Sequence, residues 1–292
     1  LKGMKWFLGH AFHSKENRLP PVLSVEPSSL RTRTEGVRFT WIGHSTMLIQ
    51  KEGRTLLIDP MFGERASPFS FAGPRREPVL PIVLEDLPPI DVVIVSHDHY
   101  DHLDRDTVRK LVELHDPLFL APLGVAEYLT SWGSSRVLEL DWWQYVELDD
   151  HRYHCVPAKH FSGRGMMNRN RTLWAGWHIE MGSVRVHYAG DTGYAPHFKQ
   201  VRERLGRPDV ALMPIGAYLP QWLMHPVHVR PDEAIEAFRD LEAEHVIPVH
   251  WGTFDLAEEP LHVPVDTLRR LVSDEGIADR VHILEIGGMW TY

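Results

Sequence analysis

The chain has 292 residues, of which 43% are hydrophobic and 24% are charged, and these ordinary globular values exclude a disordered chain. The formal net charge of -9, from 40 acidic and 31 basic residues, argues against an extended nucleic-acid-binding surface. The single cysteine, Cys155, excludes an internal disulfide, and no apolar run approaches the ~20 residues of a transmembrane helix.

Residues 1–36 are predicted to form an irregular arm that lies on the domain, because Pro20, Pro21 and Pro27 interrupt any helix that begins at 4–11. We expect residues 37–292 to form one large domain, since the chain is near the upper limit for one core and has no linker. The chain begins with Leu1, which leaves room for an upstream signal or anchor. Otherwise we expect a cytoplasmic protein, with peripheral membrane contact allowed.

The predicted elements alternate between short strands and amphipathic helices. We predict strands at 38–42, 46–50, 54–59, 91–96, 117–121, 136–140, 151–157, 172–180, 184–189, 209–214, 245–250 and 281–286. We predict helices at 105–114, 123–132, 197–205, 231–243 and 265–274, with Asp104 or Asp106, Pro231 and Gly276 as start and stop signals. The loop from Pro60 to Pro89 is long enough to predict a functional rim. The pattern itself predicts an α/β or α+β fold.

A histidine-rich motif follows the apolar run at 92–95. His97, His99, Asp101 and His102 stand in the spacing H-x-H-x-D-H, at the C-terminal end of a predicted buried strand. His97 and His99 can reach one metal ion, whereas Asp101 and His102 can turn toward a second. Imidazole and carboxylate are ligands that Zn²⁺ and similar ions prefer, so the motif predicts a metal site.

Other ligands are expected at the ends of later strands, because one motif cannot complete two coordination spheres. His160, Asp191 and His250 occupy such positions. Gly190 and Gly193 flank Asp191 and would allow a close backbone approach at this position. Two ions held in this way would lower the pKa of a shared water and produce a hydroxide nucleophile, which predicts metal-assisted hydrolysis.

The motif and the order of the later ligands resemble the metallo-β-lactamase superfamily. The resemblance implies a four-layer αββα sandwich with His97, His99 and His160 on one ion, Asp101, His102 and His250 on the other, and Asp191 bridging both. Asp101 would also orient the hydroxide. A related oxygen-reducing branch has glutamate in place of His99, so the second histidine favours two Zn²⁺ over iron, with Mn²⁺ or Fe²⁺ occupancy open.

Blocks outside the motif resemble the N-acyl-phosphatidylethanolamine-hydrolysing phospholipase D family and its bacterial members. They include 41–46, 59–60, 65–68, 87–91, 140–143, 189–194, 214–218 and 250–254. The resemblance implies a phosphodiesterase that releases phosphatidic acid. It also implies a catalytic role for His228, as a hydrogen-bond donor to a phosphoryl oxygen or a proton donor to the leaving group. His44, Tyr100, Tyr218 and Trp222 are predicted to support the ligands or line the pocket.

The sequence differs from the family pattern in two places, and both differences argue against a lipid substrate. Val227 replaces a family glutamine before His228, and residues 1–36 do not match the family's membrane-facing segment. An apolar rim in predicted loops could meet acyl chains or a bilayer, or could close a core; it comprises Phe62, Phe69, Phe71, Leu219, Trp222, Leu223 and Met224. The alternatives are a lactonase, a small-ester or small-phosphodiester hydrolase and a non-catalytic metal-stabilised binding protein; a nuclease and an antibiotic hydrolase are less favoured. We expect a small-molecule or lipid substrate, no nucleic acid, and a homodimer as family members often form.

Overall fold

The computed structural model describes residues 16–165 and 167–292. The first fifteen residues of the predicted arm, including the segment 4–11, lie outside the described residues. Within the described part of the arm, a short helix α1 spans Pro27–Arg31, and Val25 and Leu30 are buried in the domain core.

The first sheet has seven strands in the order β13-β1-β2-β3-β4-β5-β6. Pairing is antiparallel from β13 to β3 and parallel from β3 to β6. Its strands are β1 Arg38–Gly43, β2 Thr46–Lys51, β3 Arg54–Ile58, β4 Val92–Ile94, β5 Leu118–Pro122, β6 Val137–Leu140 and β13 Met289–Thr291.

The second sheet has six strands in the order β12-β11-β10-β9-β8-β7, parallel from β12 to β10 and antiparallel from β10 to β7. Its strands are β7 Tyr145–Leu148, β8 His151–Val156, β9 Gly176–Met181, β10 Val184–Tyr188, β11 Val210–Pro214 and β12 His245–Val249. A hydrogen bond of 3.0 Å from Trp177 Nε1 to the Val95 carbonyl connects the two sheets.

Helices cover the outer face of each sheet, which gives the four-layer αββα sandwich that the resemblance implied. The longer helices are α2 Arg105–His115, α3 Ala126–Ser131, α4 His197–Leu205, α6 Pro231–Leu241 and α7 Val263–Asp274, and α5 Gln221–Met224 is a single turn. Side chains alternate between two cores along the first sheet: Leu56 and Ile58 face the second sheet, whereas Leu57 packs with α2 and α3. Because both faces of the first sheet are buried, the sequences of these strands are continuous hydrophobic runs.

Local signals place the helix that follows the histidine motif. The Asp104 side chain accepts a hydrogen bond of 2.9 Å from the Thr107 amide and caps α2. Pro231 occupies the first turn of α6, and Glu233 bonds back to the Arg230 amide at 3.0 Å. Since α2 begins at Arg105, the motif is held between a buried strand and a capped helix.

The predicted strand 281–286 is wrong. The chain makes only isolated bridges there, from Val281 to Val246 and from Ile286 to Val22, because the segment crosses from the edge of the second sheet to the edge of the first. The strand proper is β13, which pairs with β1. The predicted strand 172–180 is shorter as well, since the Leu173 and Ala175 amides bond to Leu123 and Ser96 in neighbouring loops.

Four short elements were absent from the prediction: α1, β7, α5 and β13. Trp222, Leu223 and Met224 were expected in a loop but lie in α5. Phe62 packs partly buried against the core beside α2, whereas Phe69, Phe71 and Trp222 are exposed.

Candidate metal centre

The predicted ligands meet at one end of the sandwich, where strands from both sheets end. The histidine motif follows β4 of the first sheet, while His160, Asp191 and His250 follow β8, β10 and β12 of the second. The structure therefore brings all seven predicted ligands to one place, although they span more than half of the chain.

A first group of ligand atoms consists of imidazole nitrogens from both sheets. His97 Nε2 lies 2.9 Å from His99 Nδ1, and His160 Nε2 lies 3.2 Å from the same atom. The three nitrogens converge within the distance over which they could hold one ion. His160 is fixed on its other side, because its Nδ1 lies 3.0 Å from the Val227 carbonyl.

A second group is built around the Asp101 carboxylate. His102 Nε2 and His250 Nε2 lie 3.3 Å and 3.4 Å from Asp101 Oδ2. His44 Nε2 lies 2.9 Å from the same oxygen. His44 is thus in direct contact with a predicted ligand, and its Nε2 could itself complete this group.

Asp191 lies between the two groups. Its Oδ2 is 3.2 Å from His102 Nε2 and 3.1 Å from His250 Nε2. The same oxygen is 3.9 Å from His97 Nε2 and 3.8 Å from His160 Nε2. One carboxylate oxygen therefore faces nitrogens of both groups, which is the position that a bridging ligand requires.

The pKa is shifted down for His97 in the first group and up for His102 and His250 in the second. Burial, with a smaller contribution from neighbouring imidazoles, holds the pKa of His97 well below its usual range. Burial also opposes the charged form of His250, but the Asp191 and Asp101 carboxylates outweigh it and raise its pKa to about 9. The pKa of His102 is raised for the same reason. Burial would raise the Asp191 pKa, yet His102 and His250 hold it well below its usual range.

Several buried atoms in this cluster make no hydrogen bond of good geometry within the described residues. They include Asp191 Oδ1 and the two nitrogens His102 Nε2 and His250 Nε2, which lie near the carboxylates at ion-pair distances only. A buried polar group without a partner is costly, and nitrogen and carboxylate donors in this number suit a divalent ion such as Zn²⁺. The residues present therefore fit bound metal, as the resemblance implied.

Asp59 orients His102. Its Oδ2 accepts hydrogen bonds of 2.7 Å from His102 Nδ1, 2.5 Å from the Ser96 hydroxyl and 2.5 Å from the Tyr188 hydroxyl. Because Nδ1 carries the proton, Nε2 is left free to bind an ion. In the sequence, Asp59 lies at the end of a predicted strand and in a block that resembles the family, and no role was predicted for it. Its contact with His102 depends on the parallel pairing of β3 with β4, which the sequence alone does not show.

Close backbone contacts surround the bridging position, as predicted for the two glycines. A Cβ atom on Gly190, which has a φ of +62°, would lie 2.5 Å from the Ala175 carbonyl oxygen. A Cβ on Gly193 would lie 2.4 Å from the Pro226 carbonyl oxygen. His44 and His250 also have positive φ angles, of 51° and 58°, as strained residues at functional sites often do.

The structure brings His228 to the cluster. Its Nδ1 lies 3.9 Å from Asp191 Oδ2, and its ring centroid is 5.0 Å from that of His160. Burial lowers the pKa of His228 to about 4. With His160 and Asp191 it forms a further group of converging ligand atoms, so its position fits either a ligand or a contact with substrate.

The other predicted pocket residues, Tyr100, Tyr218 and Trp222, make their contacts away from the ligand atoms. The Tyr100 hydroxyl donates to the Arg164 carbonyl at 2.9 Å, and Tyr100 lines a cavity of about 720 Å³ with the segment 63–70, Tyr128 and Trp132. Tyr218 is buried and hydrogen-bonds with Thr267 of α7. Trp222 is 58% exposed. Tyr100 alone of the three connects the metal motif to this cavity.

Comparison with known proteins identifies relatives along most of the chain. The family model described as a beta-lactamase superfamily domain matches residues 54–251. An uncharacterized protein of Mycobacterium tuberculosis is 41% identical over 272 residues, which cover 91% of this chain and 72% of the relative. N-acyl-phosphatidylethanolamine-hydrolyzing phospholipase D 1 of Caenorhabditis elegans is 38% identical over 284 residues, covering 92% and 80% of the two chains.

Among solved structures, the metallo hydrolase Igni18 of Ignicoccus hospitalis has the same fold. It superposes with a TM-score of 0.68 at 24% identity and covers 88% of this chain and 99% of its own. Across 16–165 and 167–292, no helix combines the length and the hydropathy that crossing a bilayer would require.

Proposed function

Because the chain belongs to the metallo-β-lactamase superfamily, whose members include metallo hydrolases, we propose that it is a dinuclear zinc phosphodiesterase. We propose that its substrate is a lipid of the N-acyl-phosphatidylethanolamine type, cleaved in the manner of phospholipase D. The relative named for this activity is 38% identical over an alignment that covers 92% of this chain, which supports the assignment.

The observation that carries the proposal is the position of Asp191 between two groups of ligand atoms. One ion would be held by His97, His99 and His160, the other by Asp101, His102 and His250, and Asp191 would be shared. When bound, such ions supply Lewis acidity and a nucleophile derived from water. The histidine at position 99, where an oxygen-reducing branch has glutamate, favours zinc over iron.

The side chains around the ions have separate tasks. His44 Nε2 donates to Asp101 Oδ2 at 2.9 Å and fixes this carboxylate, and Asp59 fixes His102. Asp101 is therefore oriented to accept a proton from water as well as to bind metal. His228 stands beside Asp191 and is assigned the contact with a phosphoryl oxygen or with the leaving group.

His228 and His225 offer a matched pair of substitutions. His228→Ala should lower kcat by about 10²- to 10⁴-fold, the usual range for a general acid or base, with metal content unchanged. His225→Ala should be close to wild type, because His225 lies three residues away and pairs with Glu233 at 2.7 Å. Equal activity of the two variants would remove His228 from the reaction.

The substrate is tested with purified protein on N-acyl-phosphatidylethanolamine in detergent, beside an acyl lactone and a small phosphodiester. We expect phosphatidic acid to be released from the lipid. Turnover of the lactone alone would instead select the lactonase alternative. Turnover of the small diester alone would retain the phosphodiesterase chemistry and remove the lipid.

A further inference from the structure

Two phenylalanines project from the tip of the loop between β3 and β4. Phe69 is 56% exposed and Phe71 is 80% exposed. Their ring centroids lie 5.5 Å apart, so the rings form one small apolar surface. We call residues 65–76 the docking loop.

The docking loop is held rigidly at its base. Arg65 pairs with Arg75 in an antiparallel bridge, and the Ala66 amide donates to the Pro74 carbonyl at 3.0 Å. Inside the loop, the Arg65 guanidinium donates to the carbonyls of Ser70 at 3.1 Å and Gly73 at 2.6 Å. The exposed rings are therefore presented in a fixed position, which lowers the entropy lost when they insert into a surface.

The docking loop differs in charge from the rest of the chain. It contains Arg65, Arg75 and Arg76 and no acidic residue, whereas the whole chain has a net charge of -9. Arg75 is exposed, while Arg76 is partly buried beneath the ring of Phe254 at 4.9 Å. Glu64 and Glu77 flank the loop at its base. Exposed aromatic rings beside an exposed arginine match the interface of an anionic bilayer.

The same loop lines a cavity beside the metal motif, which contributes Tyr100 to its wall. Phe69 and Ser70 face this cavity of about 720 Å³, and Tyr100 lies on another of its walls. Asn168 also lines it, and the neighbouring Met167 is 97% exposed. Met167 thus adds an exposed apolar side chain near the cavity that Phe69 lines. We expect a lipid that leaves the bilayer to enter at this cavity.

We propose that the docking loop inserts Phe69 and Phe71 into the interface of an anionic lipid bilayer. Membrane binding by the docking loop does not depend on the proposed function, but its use does, because the loop would deliver lipid to the catalytic site. Two rings of at most about 250 Å² each fall well short of the roughly 800 Å² per partner that a stable protein interface buries. In a bilayer, by contrast, each inserted ring contributes independently of a complementary surface.

The test is co-sedimentation of the purified protein with vesicles of phosphatidylcholine and phosphatidylglycerol, which contain no N-acyl lipid. Phe69→Ser combined with Phe71→Ser should weaken partitioning about tenfold or more. Tyr145→Ser is the control, since Tyr145 is 53% exposed on β7 and should leave partitioning unchanged. Arg75→Glu should weaken binding about fivefold or more on the anionic vesicles and have no effect on pure phosphatidylcholine.

Equal sedimentation of the wild type and the double variant would overturn the proposal. So would a dimer in analytical ultracentrifugation that the double variant abolishes while neither protein binds vesicles, because the rings would then join two copies. Hydrolysis of substrate in detergent is scored separately. A protein that binds vesicles but does not cleave the lipid in detergent would therefore contradict the proposed function alone. A protein that cleaves the lipid in detergent but does not bind vesicles would contradict the docking loop alone.

Discussion

The protein has two sets of buried histidines, one where strands of both sheets end and one on the second sheet, and only in the first set are carboxylates shared among several rings. At the strand ends, His102 and His250 meet Asp101 and Asp191. On the sheet itself, His154, His178 and His187 stand side by side on β8, β9 and β10. We call this second set the outer histidine row, because its neighbours Trp177 and Tyr188 point the opposite way, toward the first sheet.

The outer histidine row shows what burial alone does to imidazole. Adjacent ring centroids are 6.3 Å and 6.0 Å apart, and both nitrogens of His178 and of His187 lack a partner among the described residues. Burial lowers the pKa of His178 to about 3. In the part of the chain that the structure describes, every group of three or more converging ligand atoms belongs to the strand-end cluster.

The comparison teaches that carboxylates, more than histidine count or burial, make the site. His250 is as deeply buried as His178, yet Asp191 and Asp101 raise its pKa to about 9. The same carboxylates would balance the charge of two cations, which the outer histidine row could not do. Substitutions in the two regions should therefore have different consequences.

The largest effect is expected at Asp191. Asp191→Asn removes the charge that faces both groups, so kcat/KM should fall about a thousandfold or more, equivalent to several kcal/mol, with loss of bound metal. Glu180→Gln is the control, because Glu180 lies 3.4 Å from His154 in the outer histidine row and should change neither quantity. Activity and metal content are measured on the same samples, and a fully active Asp191→Asn would refute the bridging role.

A smaller effect is expected at Asp59, which touches His102 from behind. Asp59→Asn can present an amide N–H to His102 Nδ1 and so disfavour the tautomer that leaves Nε2 free. Metal affinity should fall about 10- to 100-fold, measured by competition with a chelator. Tyr188→Phe removes one of the donors to Asp59 and should cause a smaller loss. An unchanged affinity in Asp59→Asn would show that His102 does not depend on this contact.

The smallest effect is on stability and belongs to the outer histidine row. The pKa of His178 is about 3 in the folded state against 6.5 unfolded, so the unfolded chain binds more protons and stability is lost as pH falls below 6.5. Between pH 6.5 and 5 this one residue should cost about 2 kcal/mol. His178→Leu should remove that loss, as read from urea unfolding of both proteins at the two pH values. Parallel losses in wild type and variant would contradict the assignment.

Local patterns explain how much of this could be predicted from sequence. The motif from His97 to His102 was predictable because its spacing, the preceding apolar run and the Asp104 cap lie within a few residues of one another. Asp191 and His250 were assigned from their order in a resembling family. Asp59 and the outer histidine row escaped prediction because they depend on which strands are neighbours, which periodicity along one strand does not encode.

The errors have a related cause. The run 281–286 is as apolar as a strand, but it is buried because it crosses between sheets, and burial without pairing gives the same sequence pattern. The single turn α5 is too short for helical periodicity to appear. It nevertheless helps to position His228, whose amide donates to the Met224 carbonyl at 2.9 Å.

The most direct test of the account is the number of metal ions that the purified wild-type protein binds, counted by elemental analysis after titration with zinc. Two ligand groups that share Asp191 predict two ions per chain, and Asp191→Asn should bind fewer. A wild-type chain that binds one ion or none under saturating zinc would contradict a dinuclear centre.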